Sequence, residues 1–357
     1  MSLPPPPLPS PANIPNTLPI KESTRYRRRF VILMVLFLLS LGLNLLLFLV
    51  VAFSGGSTTF SGPGAIFTER TLSGNSSSEK IAIIRLEGLI SSSIQGHVGI
   101  DGMVGDIREQ MKLVERDDKI KAVVIRIDSP GGEVLASDQI YRAIKQVRDK
   151  TEKPVVISMG SVAASGGYYA AMGGDYIFAD ELTLTGSIGV IMQTINYKDL
   201  MGKVGVRSMV FKSGKFKDIL SGSREPEPEE MQLIQDLVME TYDQFLSIVA
   251  NERKLDKEYL RNGIADGRIF SGKQALAVKL VDGLGTLDDA IAYARTKSKV
   301  SEGARVIDYQ VPFSLSSMLG IFAKSQTPAI KVELPQSAGA GLELKAGYLY
   351  YLSPHVF

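Results

Sequence analysis

The chain has 357 residues, and its 40 lysine and arginine residues against 38 aspartate and glutamate residues leave a formal net charge of only +2. This balance excludes the strong basic excess that is typical of nucleic-acid-binding proteins. With 45% hydrophobic and 22% charged residues, the composition indicates a globular protein rather than a disordered one. Cysteine is absent, which excludes cysteine nucleophiles, thiolate zinc sites, iron–sulfur clusters and disulfides.

The amino-terminal region predicts a membrane anchor. Eight of the seventeen prolines fall within residues 1–19, a density typical of extended polyproline II, and residues 21–29 hold five basic side chains. Residues 30–53 then carry no charge over 24 positions, enough for a helix to cross a bilayer core of roughly 30 Å. A cleavable signal peptide is the alternative, but its apolar region is normally shorter. We therefore predict one transmembrane helix at 30–53 that contacts membrane lipid.

Charge placement predicts the orientation of this anchor and the order of the domains. Basic residues precede the apolar stretch, and residues 54–68 contain no lysine or arginine. We therefore expect residues 1–29 to form a cytoplasmic tail and the rest to lie on the exoplasmic side of the cell (inner) membrane. The Gly/Ser-rich residues 54–78 predict a flexible linker, residues 79–310 a globular domain, and residues 311–357 a carboxy-terminal extension of unassigned role.

Apolar runs alternate with amphipathic segments beyond the linker. Short, branched runs predict buried strands at residues 81–90, 121–128, 154–160, 176–180 and 305–310. Helical periodicity predicts helices at residues 132–150, 227–255, 271–282 and 286–299. Because strand, helix and strand follow one another repeatedly, we predict an α/β domain with mainly parallel strands.

Two glycine-rich turns are the strongest candidates for chemistry. An apolar strand ends in Ser-Pro-Gly-Gly, where the N–H groups of Gly131 and Gly132 could face an anion at the start of a helix. Farther on, Ser165 precedes Gly166 at the start of a short helix, which makes Ser165 a candidate nucleophile and Gly166 a candidate donor to an oxyanion. An ordinary strand-to-helix turn and close packing of small residues remain the alternatives for the two segments.

A serine nucleophile needs a base. The two histidines, His97 and His355, have no supporting motif around them. The segment KSGKFKD offers Lys212, Lys215 and Lys217 instead, and a lysine in a desolvated pocket can be neutral at working pH. Residue spacing does not choose among these three lysines.

The series of motifs resembles that of the membrane-anchored signal peptide peptidases of the SppA type, the S49 serine proteases. In order, these motifs are SPGG, SVAASGGYYAAMGGDYIFAD, TGSIGV, SGKFKD and DGRIFSGKQALAVKLVDGLG, and they span about residues 80–300. The resemblance implies a Clp protease/crotonase-like α/β fold built from ββα and βαβ units. It also identifies residues 79–310 as a serine protease domain.

The resemblance also implies a role for individual residues. It makes Ser165 the nucleophile, Lys217 the general base and Ser187 the residue that orients the lysine. It further implies the backbone donors of the oxyanion hole, which are Gly131, Gly132 and Gly166. Clp proteases use a histidine downstream of their serine, and none occurs there in this chain. The short form of the family implies a homo-oligomer, with the dyad completed within one subunit or between two, and without metal or cofactor.

These expectations together describe a membrane-anchored serine endopeptidase that degrades apolar peptides, in the first place cleaved signal peptides. The alternatives are a related Ser/Lys protease acting on membrane-protein segments, a catalytically inactive peptide-binding scaffold and a crotonase-like acyl-CoA enzyme. The segment DGRIFSGK fits the spacing of a phosphate-binding loop, but Gln274 stands where that loop needs serine or threonine. We therefore reject nucleotide binding.

Overall fold

The computed structural model describes five stretches of the chain, which are residues 23–53, 67–74, 77–92, 102–311 and 349–352. They belong to two compact units, one ending at Thr58 and the other beginning at Thr59. The predictions for the proline-rich residues 1–22, for His97 and His355 and for most of residues 311–357 lie outside the described residues.

The first unit contains a single described helix, α1 (Ser23–Phe53). The helix begins at Ser23 rather than at residue 30, because the basic residues before the apolar stretch continue the same helix. Its segment Tyr26–Leu46 is apolar and long enough to cross a membrane, and every side chain in that segment is exposed. Such a helix is compatible with membrane anchoring, since water is a poor solvent for so much apolar surface.

The second unit alternates strands and helices. Its strands are β1 (Thr68–Ser73), β2 (Lys80–Glu87), β3 (Ile120–Ser129), β4 (Gly131–Glu133), β5 (Val155–Ala164), β6 (Tyr176–Ala179), β7 (Leu184–Gly186), β8 (Ile269–Ser271), β9 (Gly283–Leu284), β10 (Arg305–Gln310) and β11 (Tyr350–Leu352). Its helices are α2 (Gly102–Arg116), α3 (Val134–Lys150), α4 (Gly166–Ala171), α5 (Lys198–Lys203), α6 (Pro228–Arg253), α7 (Lys257–Tyr259), α8 (Gly272–Ala277) and α9 (Leu287–Ser298). A π-helical turn, Leu260–Ile264, follows α7.

The main sheet has the strand order β1-β10-β2-β3-β5-β6-β9, and β7 joins it beside β5 and pairs in turn with β8. Strands β10, β2, β3, β5, β6 and β9 pair with their neighbours in parallel, whereas β1 and β8 pair antiparallel. Helices α2, α3 and α4 connect successive parallel strands from β2 to β6. The prediction of a mainly parallel α/β domain is therefore confirmed.

Both faces of the sheet are covered, which explains why its strands are continuous apolar runs. Along β3, the side chains of Val123, Ile125 and Ile127 pack in the core that includes helices α2, α3 and α4. The alternate residues Ala122 and Val124 pack on the opposite face, in the cluster that includes helix α9. This alternation follows from the two-residue period of a strand.

The structure corrects the predicted linker at residues 54–78. Residues Thr68–Ser73 within it form strand β1, which pairs antiparallel with β10 at the edge of the sheet. The Arg70 Nε donates to Asp308 Oδ1 at 2.9 Å across this pair. The sequence TERTLS gave no strand signal because its side chains are mostly exposed and polar, so the apolar alternation of a buried strand is missing.

Several element boundaries also differ from the prediction. Residues Gly131–Glu133 form strand β4 instead of the first turn of a helix, and strand β5 continues to Ala164 instead of ending at residue 160. The helix predicted at residues 271–282 ends at Ala277, and Lys279 then adopts a left-handed backbone conformation with φ of 63°. That conformation is incompatible with a continuing right-handed helix.

Candidate active site

Ser165 lies at a sharp turn between strand β5 and helix α4. Its backbone has φ of 52° and ψ of −113°, an unfavourable conformation for a residue with a side chain. Two backbone hydrogen bonds hold the turn: Ser165 N donates to Gly186 O at 2.8 Å, and Tyr169 N donates to Ser165 O at 2.8 Å. The fold therefore holds Ser165 in one strained orientation at the start of a helix, as the sequence predicted.

The Ser165 hydroxyl is buried without a hydrogen-bond partner among the described residues. A buried hydroxyl left unpaired costs roughly 1–3 kcal/mol of stability. If close packing were the only requirement, alanine would serve better at this position. The geometry therefore favours a chemical role for the Ser165 Oγ over the packing alternative.

The predicted oxyanion glycines lie together beside Ser165. A Cβ added to Gly131, whose φ is +107°, would lie 2.8 Å from Gly166 N. A Cβ added to Gly166 would lie 3.1 Å from Gly132 N. The fold thus brings Ser165 and three glycines from two distant turns to one place, where a Cβ on Gly131 would collide with Tyr351 O at 2.0 Å and a Cβ on Gly166 with Ser137 Oγ at 2.4 Å.

The glycines of the Ser-Pro-Gly-Gly turn do not lie at the start of a helix, where the sequence pattern placed them. Helix α3 begins at Val134 with Glu133 as its N-cap, so Gly131 and Gly132 belong to a strand edge and not to a helix terminus. Gly131 N donates to Ser129 Oγ at 3.1 Å and is already engaged. The Gly131 N–H is held inside its own turn, whereas the Gly132 N–H faces the edge of β4 along which another strand can pair, so Gly132 and Gly166 are the better candidates for donors to an oxyanion.

Ser187 is buried next to the Ser165 turn. It directly follows Gly186, the residue whose carbonyl accepts from Ser165 N. Ser187 also has a positive φ of 51°, and its N–H donates to Arg268 O at 2.8 Å. This close backbone connection between Ser187 and Ser165 was not readable from the sequence.

Lys217 is exposed in the single chain and lies on a turn. Because the Ser165 Oγ has no partner in the described part of the chain, one subunit in this conformation does not bring the Ser165 and Lys217 side chains into hydrogen-bonding contact. Residues 191–221, here called the exposed segment, contain no buried residue. The segment nevertheless carries large apolar side chains, including Ile195, Met209 and Phe211, which is 91% exposed. Apolar surface of this kind is typical of a face that another chain or a membrane covers.

Ion pairs distinguish the three candidate lysines. Lys212 Nζ lies 2.7 Å from Asp218 Oδ1, and Lys215 Nζ pairs with the carboxylate of Glu229. The bond to Glu229 raises the pKa of Lys215, so this amine is held protonated. A base must be neutral, and the two ion-paired lysines are therefore the poorer candidates.

Arg224 connects the Lys217 turn to the start of helix α6. Its Nε and Nη2 each donate to Asp218, the residue after Lys217, at 2.8 Å. Its Nη1 donates to the buried Glu230 at 2.7 Å. These bonds hold the pKa of Asp218 below its usual range and lower the pKa of Glu230 to about 2. The paired guanidinium contacts therefore fix the backbone next to Lys217 at every pH at which both carboxylates are charged.

Comparison with family models gave two matches. Residues 147–301 match the model of peptidase family S49, and residues 90–180 match the Clp protease model. The second match agrees with the mainly parallel, helix-covered sheet and confirms the predicted Clp protease/crotonase-like α/β fold.

Named relatives match most of the chain. A protein named signal peptide peptidase SppA from Enterococcus faecium is 36% identical over 262 residues, which are 71% of this chain and 75% of that protein. A protease from Synechocystis sp. is 46% identical over 221 residues, 62% of this chain and 75% of the relative. Protease 4 from Salmonella typhi is 35% identical over 264 residues, 73% of this chain and 41% of the relative.

Proposed function

We propose that this chain, which belongs to peptidase family S49 and is a serine endopeptidase, uses Ser165 and Lys217 to degrade apolar peptides released in or near a membrane. Cleaved signal peptides are the proposed substrates, since a relative that is 36% identical over 262 residues is named a signal peptide peptidase. The observation that carries the proposal is the buried Oγ of Ser165, which has no hydrogen-bond partner among the residues that the structure describes and lies beside the glycine N–H groups.

The proposed reaction proceeds through an acyl-enzyme. The Ser165 Oγ attacks the peptide carbonyl carbon while the neutral Nζ of Lys217 takes the hydroxyl proton. The N–H groups of Gly132 and Gly166 donate to the oxyanion that forms. Collapse of this intermediate breaks the C–N bond, and Lys217 returns its proton to the leaving amine. Water then attacks the ester with the same lysine as base, which releases the second product and restores Ser165.

Assembly of several copies of the chain is part of the proposal. The exposed segment presents apolar side chains together with Lys217, and the Ser165 turn holds a hydroxyl that lacks a partner within the described ranges. We expect a neighbouring subunit to cover the exposed segment and to receive Lys217 beside its own Ser165, where Ser187 would orient the amine. Burial in that contact would favour the neutral amine that the reaction needs.

Helix α1 and the charges around it support the proposed location of the catalytic unit. Basic residues lie before its apolar stretch, and none lies in residues 54–68. The proposal therefore places residues 1–29 in the cytoplasm and the catalytic unit on the exoplasmic side of the inner membrane. An anchor of this kind would keep the site close to the surface from which apolar peptides emerge.

Mixing two inactive variants tests whether neighbouring subunits complete the site. We expect Ser165→Ala and Lys217→Ala proteins to be inactive separately and to regain peptidase activity when they are dissociated and reassembled together. In the mixture, an intact Ser165 from one protein meets an intact Lys217 from the other. Each variant reassembled with itself is the control. If the mixture stays inactive while wild-type protein survives the same treatment, the two residues act within one subunit.

The contacts of Arg224 with Asp218 and Glu230, here called the Arg224 clamp, hold the turn that carries Lys217. Their removal is expected to lower activity while Lys217 itself stays in the protein. In Arg224→Met, we expect kcat to fall about 10- to 100-fold because the backbone beside Lys217 loses its fixed position. Arg207→Met is the matched control, since Arg207 is an exposed arginine of the exposed segment, which also carries Lys217.

The clamp should persist at all pH values used for activity assays. A carboxylate whose pKa is lower in the folded than in the unfolded protein stabilises the fold at pH values above its unfolded pKa. That stabilisation is lost only as the pH falls toward the pKa of the folded state. With the pKa of Glu230 at about 2, the Arg224 contacts stay intact throughout neutral and alkaline pH. The test is to measure kcat from pH 6 to 9. A kcat of Arg224→Met equal to that of wild type at every pH would contradict this role of Arg224.

A further inference from the structure

Residues 88–92, which follow strand β2, hold one edge of strand β4. Ile90 N donates to Gly131 O at 2.8 Å, and Glu133 N donates to Ile90 O at 2.9 Å. Ile90 is completely buried. Because successive N–H groups of a strand point to opposite edges, the N–H of Gly132 points away from Ile90. The pairing with Ile90 therefore sets the direction of the N–H that we propose as an oxyanion donor.

Gly132 has no side chain that could hold its own peptide unit in place. A Cβ at this position would lie 1.9 Å from Ile90 O, so only glycine fits. Glycine is the residue with the greatest backbone freedom, and the preceding Gly131 already adopts a φ of +107°. The orientation of the Gly132 N–H must therefore be fixed by the residues around the two glycines.

The side chain of Glu133, the residue after Gly132, joins β4 to the segment that follows β2. Its Oε1 accepts from Ser91 Oγ at 3.0 Å, and its Oε2 accepts from Ser92 N at 3.1 Å and from Ser92 Oγ at 2.7 Å. These three bonds are here called the Glu133 clasp. Glu133 is buried, with 9% of its surface exposed. Hydrogen bonds to a carboxylate are stronger than those between neutral groups, so the clasp holds the two segments firmly together.

The clasp is not an ordinary helix cap. Glu133 is the N-cap residue of α3, and an N-cap side chain normally accepts from an N–H two or three positions later. Its carboxylate accepts no such bond from the first turn of α3, which lies within the described residues 102–311. The carboxylate turns back toward Ser91 and Ser92 instead. This arrangement favours a role in holding β4 over a role in starting helix α3.

We propose that Glu133 is a positioning residue for the oxyanion donor Gly132. Its carboxylate holds residues 90–92 against β4 and so fixes the peptide unit whose N–H would bind the oxyanion. The inference rests on the proposed function and adds to it a residue on which stabilisation of the transition state depends. Removal of a whole oxyanion donor lowers kcat about 10²- to 10³-fold, and a misplaced donor should cost somewhat less.

Two inhibitors of one peptide sequence test this role in Glu133→Ala. With a peptide aldehyde, Ser165 Oγ bonds to the carbonyl carbon, its proton passes to Lys217, and the resulting oxyanion accepts from the glycine N–H groups. The matching peptide alcohol binds without forming an oxyanion. We expect Glu133→Ala to weaken inhibition by the aldehyde about 10- to 100-fold and to leave inhibition by the alcohol unchanged. The kcat for a peptide substrate should fall by the same factor at constant KM.

Three further variants separate positioning from a general loss of structure. Glu133→Gln keeps an oxygen that accepts from Ser92 and should retain most of kcat. Ser92→Ala removes the shortest bond of the clasp from the other side and should weaken aldehyde inhibition selectively, as Glu133→Ala does. Glu252→Ala is the structural control, since that carboxylate accepts from Tyr141 Oη at 2.9 Å and Arg148 Nη1 at 3.0 Å and joins α3 to α6. We expect it to lower the free energy of unfolding without changing the ratio of the two inhibition constants.

The outcomes separate this inference from the proposed function. An unchanged ratio of the two inhibition constants in folded Glu133→Ala, or an equal loss of both, would overturn the inference alone. If Glu133→Ala does not fold, the same ratio measured in Ser92→Ala decides. A wild-type protein whose Ser165 is not labelled by a fluorophosphonate would overturn the proposed function, and the inference with it.

Discussion

Replacement of Ser165 by alanine is expected to lower kcat/KM by at least about 10³-fold without lowering the free energy of unfolding. The activity is lost because the nucleophilic oxygen is gone. Stability is kept because the buried Oγ has no hydrogen-bond partner to lose among the described residues, and removal of an unpaired buried hydroxyl stabilises a fold rather than weakening it. Hydrolysis of a quenched apolar peptide and denaturant unfolding measure the two effects on the same preparation.

Ser161→Ala is the matched control for this substitution. Ser161 lies on the same strand β5, but its side chain is exposed. We expect this variant to keep wild-type activity and stability. Retained activity in Ser165→Ala would exclude Ser165 as the nucleophile, and a large loss of stability would assign its hydroxyl a structural role.

Replacement of Lys217 by methionine is expected to reduce kcat about 10²- to 10⁴-fold, the usual contribution of a general base. Methionine keeps the length and apolar character of the side chain but cannot accept a proton. In wild-type protein, activity should rise with pH because only the neutral amine is a base, and this rise should disappear in Lys217→Met. Steady-state kinetics from pH 6 to 10 measures both changes.

Lys215→Met is the control for a general loss of positive charge. Lys215 belongs to the same motif but pairs with Glu229 and is held protonated. We expect it to change kcat less than about tenfold, as is typical of exposed ion pairs. If Lys215→Met and Lys217→Met lower activity equally, electrostatics of the segment rather than base catalysis explains the effect.

The central strands and long helices were predictable because their burial requires a recognisable pattern of apolar residues in the local sequence. The runs around Ile84, Ile125 and Ile157 are apolar on both faces, as helix-covered parallel strands require. Strand β1 is a polar edge strand and leaves no such signature. Strand β11 has three residues whose pairing depends on Gly131–Glu133, more than two hundred positions away, so only the fold reveals it.

The same distinction applies to the candidate site. The turn around Ser165 was predictable because a strand, a serine and two glycines are adjacent in sequence. Gly131 and Gly166 lie close together because β3 pairs in parallel with β5. The sequence around each glycine does not reveal this pairing. Spacing could not choose a lysine, because the ion pairs of Lys212 and Lys215 exist only in the folded segment.

The most direct test of the proposed Ser165–Lys217 chemistry is the rate at which a fluorophosphonate forms a covalent adduct with the assembled full-length protein, mapped by mass spectrometry. We predict that the adduct lies on Ser165, that its rate of formation rises with pH, and that Lys217→Met slows it at least about 100-fold while Lys215→Met does not. An adduct on another residue, or an unchanged rate in Lys217→Met, would contradict this chemistry.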